Sequence, residues 1–339
     1  MKIVHFITAG PAEPRVHRAR LWVTALSLSL LVGWVSGGQV TSAQPRPLTP
    51  CLRVLGIAQD GGLPHAACSC ERCERARQQP EDRTHVASVA LVLPTNNQIY
   101  LFDATPDLRE QLASLTDIDP GPGRQVNRDP VAGVFLTHAH IGHYLGLAFF
   151  GYEAIHTRNL PVMATPRMAT FLRSNGPWSQ LVTLENIRLE ELNPGKPRQI
   201  GDVVVVRAVR APHRDEYADT LGFLISGPTR TVFYLPDTDS WSAWPTPVTE
   251  LLQQVDVALL DGTFFSSDEL PGRRVETIGH PLIQDSMDLL QDLVDDGSLE
   301  VYFTHLNHSN PALDVDSEAR ISIEKRGFHV LEQGQEFPL

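Results

Sequence analysis

The chain has 339 residues, a formal net charge of −12, 42% hydrophobic and 20% charged residues. That composition supplies the apolar surface a packed core needs and excludes a disordered chain. At this length it predicts one large catalytic domain behind a processed leader. The acidic balance offers no general attraction to a phosphate backbone, so nucleic acid is not an expected partner. A bound cation could still reverse the sign locally and admit an anionic small-molecule substrate.

Residues 1–43 read as a signal peptide. Arg15, Arg18 and Arg20 precede an apolar stretch from Leu21 to Val35, and Thr41-Ser42-Ala43 supplies small residues for cleavage. The stretch is short for a membrane span of about 20 residues; left uncleaved, it would serve as an N-terminal membrane anchor. Cleavage implies an exported protein, periplasmic or extracellular. Residues 44–50, Gln-Pro-Arg-Pro-Leu-Thr-Pro, form a linker because proline blocks regular structure, and the domain proper spans 51–339.

Within it, Leu52–Ile57 is a first strand, stopped by Asp60-Gly61-Gly62. Val86–Leu93 and Gln98–Asp103 flank a turn at Pro94-Thr95-Asn96-Asn97. Pro106–Leu115 is helical with proline near its start, and 120–130 is a loop rich in Gly, Pro and Arg. Val131–Leu136 is a strand running directly into Thr137-His138-Ala139-His140-Ile141-Gly142-His143, and Leu145–Tyr152 is helical. Further strands are predicted at Leu160–Ala164, Val203–Val209, Leu221–Ile225, Val232–Leu235, Val257–Leu260 and Leu299–Phe303. Helices are predicted at Met168–Ser174, Val248–Gln254, Ile283–Leu293 and Asp316–Lys325. Two groups of strands with helices between and outside them indicate a layered α/β domain.

Three histidines within six residues at a strand end are hard to explain as packing. At H-x-H-x-x-H spacing they converge on one point where the chain turns sharply, and neutral imidazole is a good ligand for zinc, iron and manganese. The segment resembles the H-x-H-x-D-H signature of the metallo-β-lactamase superfamily. Later segments follow in that family's order: Ala211-Pro212-His213 before Thr220-Leu221-Gly222-Phe223, then Phe233-Tyr234-Leu235-Pro236-Asp237-Thr238, then Phe303-Thr304-His305. The resemblance implies a four-layer αββα sandwich. In it His138, His140 and His213 hold one metal, His143 and His305 a second, and Asp237 bridges the two. The motif aspartate is Gly142 here, which implies one firm metal and a second that is weak, absent or of different identity, unless Asp239 or Asp219 compensates.

A closer resemblance, over most of 52–339, is to the PqqB proteins of pyrroloquinoline quinone biosynthesis. It is carried by Gly56–Gly62, by Cys68-Ser69-Cys70-Glu71-Arg72-Cys73, by Asp103-Ala104-Thr105-Pro106-Asp107-Leu108-Arg109, by Leu260–Ser266 and by Asn307–Asp314. PqqB proteins usually lack the full histidine motif and are cytosolic. This chain has the motif and an export signal, which points to a PqqB-like relative with a different task.

The four cysteines are unevenly spread, with Cys68, Cys70 and Cys73 in one cluster. Structural zinc takes four tetrahedral ligands. The similar cluster of the phosphodiesterase PhnP is completed by a histidine three residues after the last active-site histidine. His308 holds that position here, and His65 is the local competitor. In an exported protein a disulfide from Cys51 to the cluster, or free thiols, are the competing readings.

Three functions follow. In a hydrolase, a metal would lower the pKa of bound water to about 7, and the resulting hydroxide would attack an ester, phosphodiester, lactone or amide. Asp237 would orient it, and His305 or His143 would stabilise developing charge. Zinc is the expected ion, one or two at the active centre, with iron or manganese as alternatives. A histidine-rich site with open positions could instead hold Fe(II) for an oxidase or hydroxylase, in keeping with a PqqB-like role. The pocket could also serve a non-enzymatic carrier of a small ligand. Among single residues, Trp241 and Trp244 could line the pocket, core packing being the favoured reading, and Asp107 with Arg109 is expected as a pair at a helix start. Asp261, at a strand end, is open to structural and catalytic roles. His156, His280 and His329 have no partner pattern.

Overall fold

The computed structural model describes residues 49–116, 128–269 and 279–339, so the leader, most of the linker and most of the 120–130 loop lie outside the described residues. The described part forms one unit within residues 46–339.

Strand burial explains the layering. Every residue of Ser88–Leu93 is buried. Val89, Leu91 and Leu93 join one apolar cluster, whereas Ala90 and Val92 join another. Alternate side chains point to opposite faces of a strand, so this strand has a core on each side.

The first sheet contains β1 (Cys51–Gly56), β2 (Ser88–Leu93), β3 (Gln98–Phe102), β4 (Gly133–Phe135), β5 (Leu160–Ala164) and β6 (Ile187–Glu191). The second contains β7 (Pro197–Ile200), β8 (Val204–Ala211), β9 (Thr220–Ser226), β10 (Thr231–Leu235), β11 (Val257–Asp261), β12 (Glu300–Thr304) and β13 (His329–Val330). A last strand, β14 (Glu336–Pro338), returns to the first sheet beside β1. Both sheets have an antiparallel half and a parallel half, the latter running from β3 to β6 and from β10 to β13. Parallel pairs need long crossovers, usually helical. Helices α2 (Leu108–Ala113), α4 (Pro166–Ser174) and α5 (Trp178–Thr183) cover the first sheet through Leu108, Met168, Leu172, Trp178 and Leu181. On the second, α6 (Val248–Leu252), α7 (Ile283–Asp295) and α8 (Glu318–Lys325) pack Val248, Leu252, Ile283, Met287 and Ile323. The expected four-layer αββα sandwich is therefore present.

Between the sheets, Phe102 stacks on Phe135 at 4.9 Å and Phe223 meets both edge-on at 5.2 and 5.6 Å. Such pairs add about 0.5–1.5 kcal/mol each beyond burial. Phe102 lies one residue before Asp103 and Phe135 three before His138, so their packing on Phe223 fixes the ends of β3 and β4 against the second sheet. Leu221 donates its N–H to the Thr137 carbonyl at 3.0 Å, tying the sheets together at the same place.

The helix expected at Leu145–Tyr152 is instead a four-residue helix, α3 (Ile141–Tyr144), followed by a tighter 3₁₀ turn over Leu145–Phe150. The elements not anticipated are short or half exposed: α1 (Glu71–Gln78), α5, β6, β7, β13 and β14. Their hydrophobic periodicity spans too few residues to register.

Candidate metal centre

All the centre's residues follow strands, where open α/β sheets collect their ligand sites. His138 and His140 follow β4, and His143 sits on α3. His213 follows β8, Asp237 follows β10, His305 follows β12 and Asp60 lies on the loop after β1. Asp103 and His305 adopt left-handed backbone, φ 71° and 60°. Non-glycine residues rarely do so, and here the conformation turns the chain sharply as each strand ends.

One oxygen organises the site. Asp237 Oδ2 lies 3.2 Å from His138 Nε2, 3.2 Å from His213 Nε2 and 3.8 Å from His140 Nδ1. His140 Nδ1 is also 2.9 Å from His138 Nε2 and 3.3 Å from His213 Nε2. Ligand atoms 2.0–2.1 Å from a tetrahedral zinc stand about 3.4 Å apart, which is the spacing found. On its other side the same Oδ2 lies 3.9 Å from His143 Nε2 and 4.0 Å from His305 Nε2. Asp60 Oδ1 completes that second set, 3.4 Å from His143 Nε2 and 3.8 Å from His305 Nε2. Asp60 Oδ1, His143 Nε2 and His305 Nε2 are buried and make no hydrogen bond. Orphaned buried polar atoms are costly, and three donors converging on one point fit a cation.

The outward nitrogens are held as well. Asp103 Oδ2 accepts from His143 Nδ1 at 2.7 Å and from the Thr137 hydroxyl at 2.9 Å. With its single proton committed to Asp103, the Thr137 hydroxyl accepts from His138 Nδ1 at 3.0 Å, leaving the His138 Nε2 lone pair facing inward. A second relay mirrors it: the Thr263 hydroxyl donates to Asp261 Oδ1 at 2.7 Å and accepts from His305 Nδ1 at 2.9 Å. His213 Nδ1 faces Asp239 Oδ1 at 3.2 Å, and His140 Nε2 faces Glu216 Oε2 at 3.2 Å. Partners of this kind fix tautomer and ring orientation in metal-ligating histidines.

Burial, reinforced by the neighbouring His143 charge, pushes the His138 imidazole well below its ordinary value, so it stays neutral. Burial also works against the His143 cation, but Asp103 and Asp60 lift it to about 10. For Asp237 the burial penalty is outweighed by His280, His305 and His213, which hold the carboxylate ionised.

All six residues expected as active-site ligands, His138, His140, His143, His213, Asp237 and His305, thus meet in one place. Where the sequence offered the second set no terminal carboxylate, the structure brings Asp60 Oδ1 to 3.4 Å from His143 Nε2. Neither substitute considered fills that role: Asp239 supports His213, and Asp219 is taken by Arg210 at 2.6 Å. Sequence reasoning also missed His280, whose Nδ1 lies 2.9 Å from Asp261 Oδ2 and 3.1 Å from Asp237 Oδ1. The proposed Asp107–Arg109 pair is not made: Asp107 Oδ2 accepts from the Val86 N–H at 2.8 Å, and Arg109 lies 3.8 Å from Glu110. Trp241 and Trp244 pack against the core between and behind the sheets.

The cysteine cluster is a separate centre. Ligand atoms of Cys68, Cys70, Cys73 and His308 all lie within 4.8 Å of one another, so the cluster gathers around His308. His65 packs tilted against His308 at 4.3 Å between ring centroids and sends its backbone N–H to Cys73 Sγ at 3.3 Å. Arg72 donates to the His308 carbonyl and pairs with Asp314, and Arg75 pairs with Asp314 at 3.0 Å. These bonds tie α1, which carries Cys73, to the loop carrying His308. Burial and the neighbouring thiols push the Cys73 thiol up to about 11.

Residues 75–306 match the family described as Beta-lactamase superfamily domain. The chain belongs to the beta-lactamase superfamily. Within it, the chain is similar to coenzyme PQQ synthesis protein B of Nitrosococcus oceani, 26% identical over 85% of this chain and 99% of that one. The same protein of Stutzerimonas stutzeri is 28% identical with the same coverage. Among solved structures, zinc-bound PqqB from Methylobacterium extorquens superposes with a TM-score of 0.71 at 22% identity, over 85% of this chain and all of that one. A diphosphatase of the PhnP family superposes with 0.61 at 19%, over 86% and 97%. Both structural likenesses speak for the fold of the superfamily. The chain is thus a PqqB-like member that brings together His and Asp groups able to hold metal.

Proposed function

We propose that the chain is a metal-dependent hydrolase with a two-ion centre, zinc being the favoured ion, acting on a small ester or phosphodiester. The observation carrying this reading is the single Asp237 oxygen shared by two complete donor sets. His138, His140 and His213 would hold one ion, His143, His305 and Asp60 the other. When bound, such ions polarise the scissile group and make water a nucleophile near neutral pH. The chain's own contribution is orientation: Asp103, Asp261 and the two threonine hydroxyls hold the imidazoles, and Asp237 fixes the two sets relative to each other. His280, whose Nδ1 stands between Asp237 and Asp261, would serve in this reading as the proton donor to a leaving group. Arg214, exposed and 3.4 Å from His140 Nε2, supplies positive charge for an anionic substrate. In this reading Cys68, Cys70, Cys73 and His308 hold a structural zinc, and residues 1–43 export the protein.

The test is turnover of bis(p-nitrophenyl) phosphate and p-nitrophenyl acetate by zinc-loaded protein. Hydrolysis abolished by chelator and restored by zinc is expected; no turnover of either compound contradicts the reading. A second reading, a role in coenzyme PQQ synthesis by oxidative chemistry, is favoured by similarity to the curated relatives over nearly their whole length. Iron in protein purified without added metal, together with oxygen consumption, would favour it.

A further inference from the structure

We propose that Asp60 and Gly142 are an exchanged pair: the loop after β1 delivers the second ion's carboxylate, and position 142 is glycine because Asp60 fills its side-chain space. The inference rests on the two-ion centre proposed above and deepens it. In the H-x-H-x-D-H signature the carboxylate comes from the residue before the last histidine, which is Gly142 here. A Cβ built on Gly142 would stand 2.0 Å from Asp60 Oδ1 and 2.9 Å from Asp60 Cα. Contacts that short do not occur, so no side chain fits there while Asp60 holds its place.

The backbone gives no other reason for glycine. Gly142 lies in α3 and outside the left-handed region, where glycine only weakens a helix. Asp60 is also held in position. Gln59 donates its N–H to the Leu306 carbonyl at 2.9 Å, Ala58 bridges to both Val86 and Leu306, and Gly62, at φ +70°, returns its N–H to the Gln59 carbonyl at 2.7 Å. The loop is thus pinned to the residue following His305, and Asp60 Oδ1 enters the gap between His305 and His143. Its carboxylate is aimed at the two orphaned imidazole nitrogens and, through them, at Asp237. The site keeps the donor types a divalent zinc-like ion needs, with the carboxylate supplied from the opposite side of the gap. The second set keeps a carboxylate although position 142 offers none, and the loop after β1, already pinned at Leu306, carries it.

The test counts zinc per folded chain by mass spectrometry, with circular dichroism as the check on folding. Wild type is expected to hold three ions, two in the His and Asp centre and one at the cysteines. Asp60→Ala and Asp60→Asn are expected to hold two. Gly142→Ala is also expected to hold two, although it removes no donor atom, because the added methyl group displaces Asp60. Folded Asp60→Ala retaining every ion the wild type holds overturns the assignment; so does Gly142→Ala with the wild-type count at unchanged affinity. Asp60→Asn, which preserves shape, decides if either other variant fails to fold. A chain that binds three ions, loses one on Asp60 substitution and hydrolyses nothing keeps this inference and ends the hydrolase reading. Hydrolysis with unchanged zinc in Asp60→Ala does the reverse.

Discussion

The two ligand clusters of this molecule are built in opposite ways. The histidine and aspartate centre sits at strand ends inside the sandwich, and its imidazoles are each fixed by a hydrogen-bonded neighbour. The cysteine cluster lies on a loop and a short helix, with Cys70 exposed and at a helix start that lacks a side-chain cap. In the first, the fold aims the ligands before an ion arrives; in the second, the ion would hold the ligands, and so the loop, in place. The first should therefore govern chemistry and the second stability.

The sharpest way to break this contrast is Asp237→Ala. It should lower hydrolysis by about three orders of magnitude or more, on the scale of the several kcal/mol that a bound cation contributes. The zinc at the cysteines should remain, measurable by metal analysis of the same sample. Loss of all zinc would show that the two clusters are not separate.

Cys73→Ser should do the converse. It should remove one zinc and lower Tm by about 10 °C, since each kcal/mol shifts Tm by roughly 2–4 °C in a domain of about this size. Activity per remaining centre should change only a few-fold. Calorimetry alongside turnover checks both, and an unchanged Tm would deny the cluster its structural role.

Asp103→Asn probes the support behind the rings. Its carboxylate holds both His143 and Thr137, so metal affinity should weaken by about 10–100-fold with the ligand atoms intact. A titration against a competing chelator reads this.

The last effect is one of pH. In metal-free protein the His143 pKa is raised from 6.5 to about 10. Its stabilising contribution is complete below 6.5 and is lost as pH rises through about 10. Metal-free wild type should lose stability over that window relative to metal-free His143→Gln in denaturant titrations. Parallel profiles would mean that Asp103 and Asp60 do not hold the proton there.

Much of the fold could be read beforehand, because strands such as Val86–Leu93 and Val257–Leu260 are unbroken apolar runs bounded by turn residues. The ligand set was readable for a different reason. A histidine triplet directly after a strand has no packing explanation, and His213, Asp237 and His305 each follow a strand in the expected order. Asp60 escaped notice because Asp-Gly-Gly is ordinary turn chemistry, and nothing local marks it as a ligand. The usable signal was negative: a glycine at 142 meant that a carboxylate had to come from elsewhere, and only three-dimensional proximity shows where. His280 was hidden likewise, since its partners Asp237 and Asp261 lie far from it in the chain. Asp103 stood in a recognised segment, but its hold on His143 depends on a left-handed backbone that sequence does not announce.

The central claim is that imidazoles from β4, β8 and β12 gather around Asp237 to hold ions. Anomalous X-ray diffraction at the zinc edge, on crystals of zinc-loaded protein, tests it most directly. The account predicts two peaks flanking Asp237 Oδ2, one among His138, His140 and His213 and one among Asp60, His143 and His305, with a third at the cysteines. A map with density at the cysteines and none beside Asp237 would contradict it.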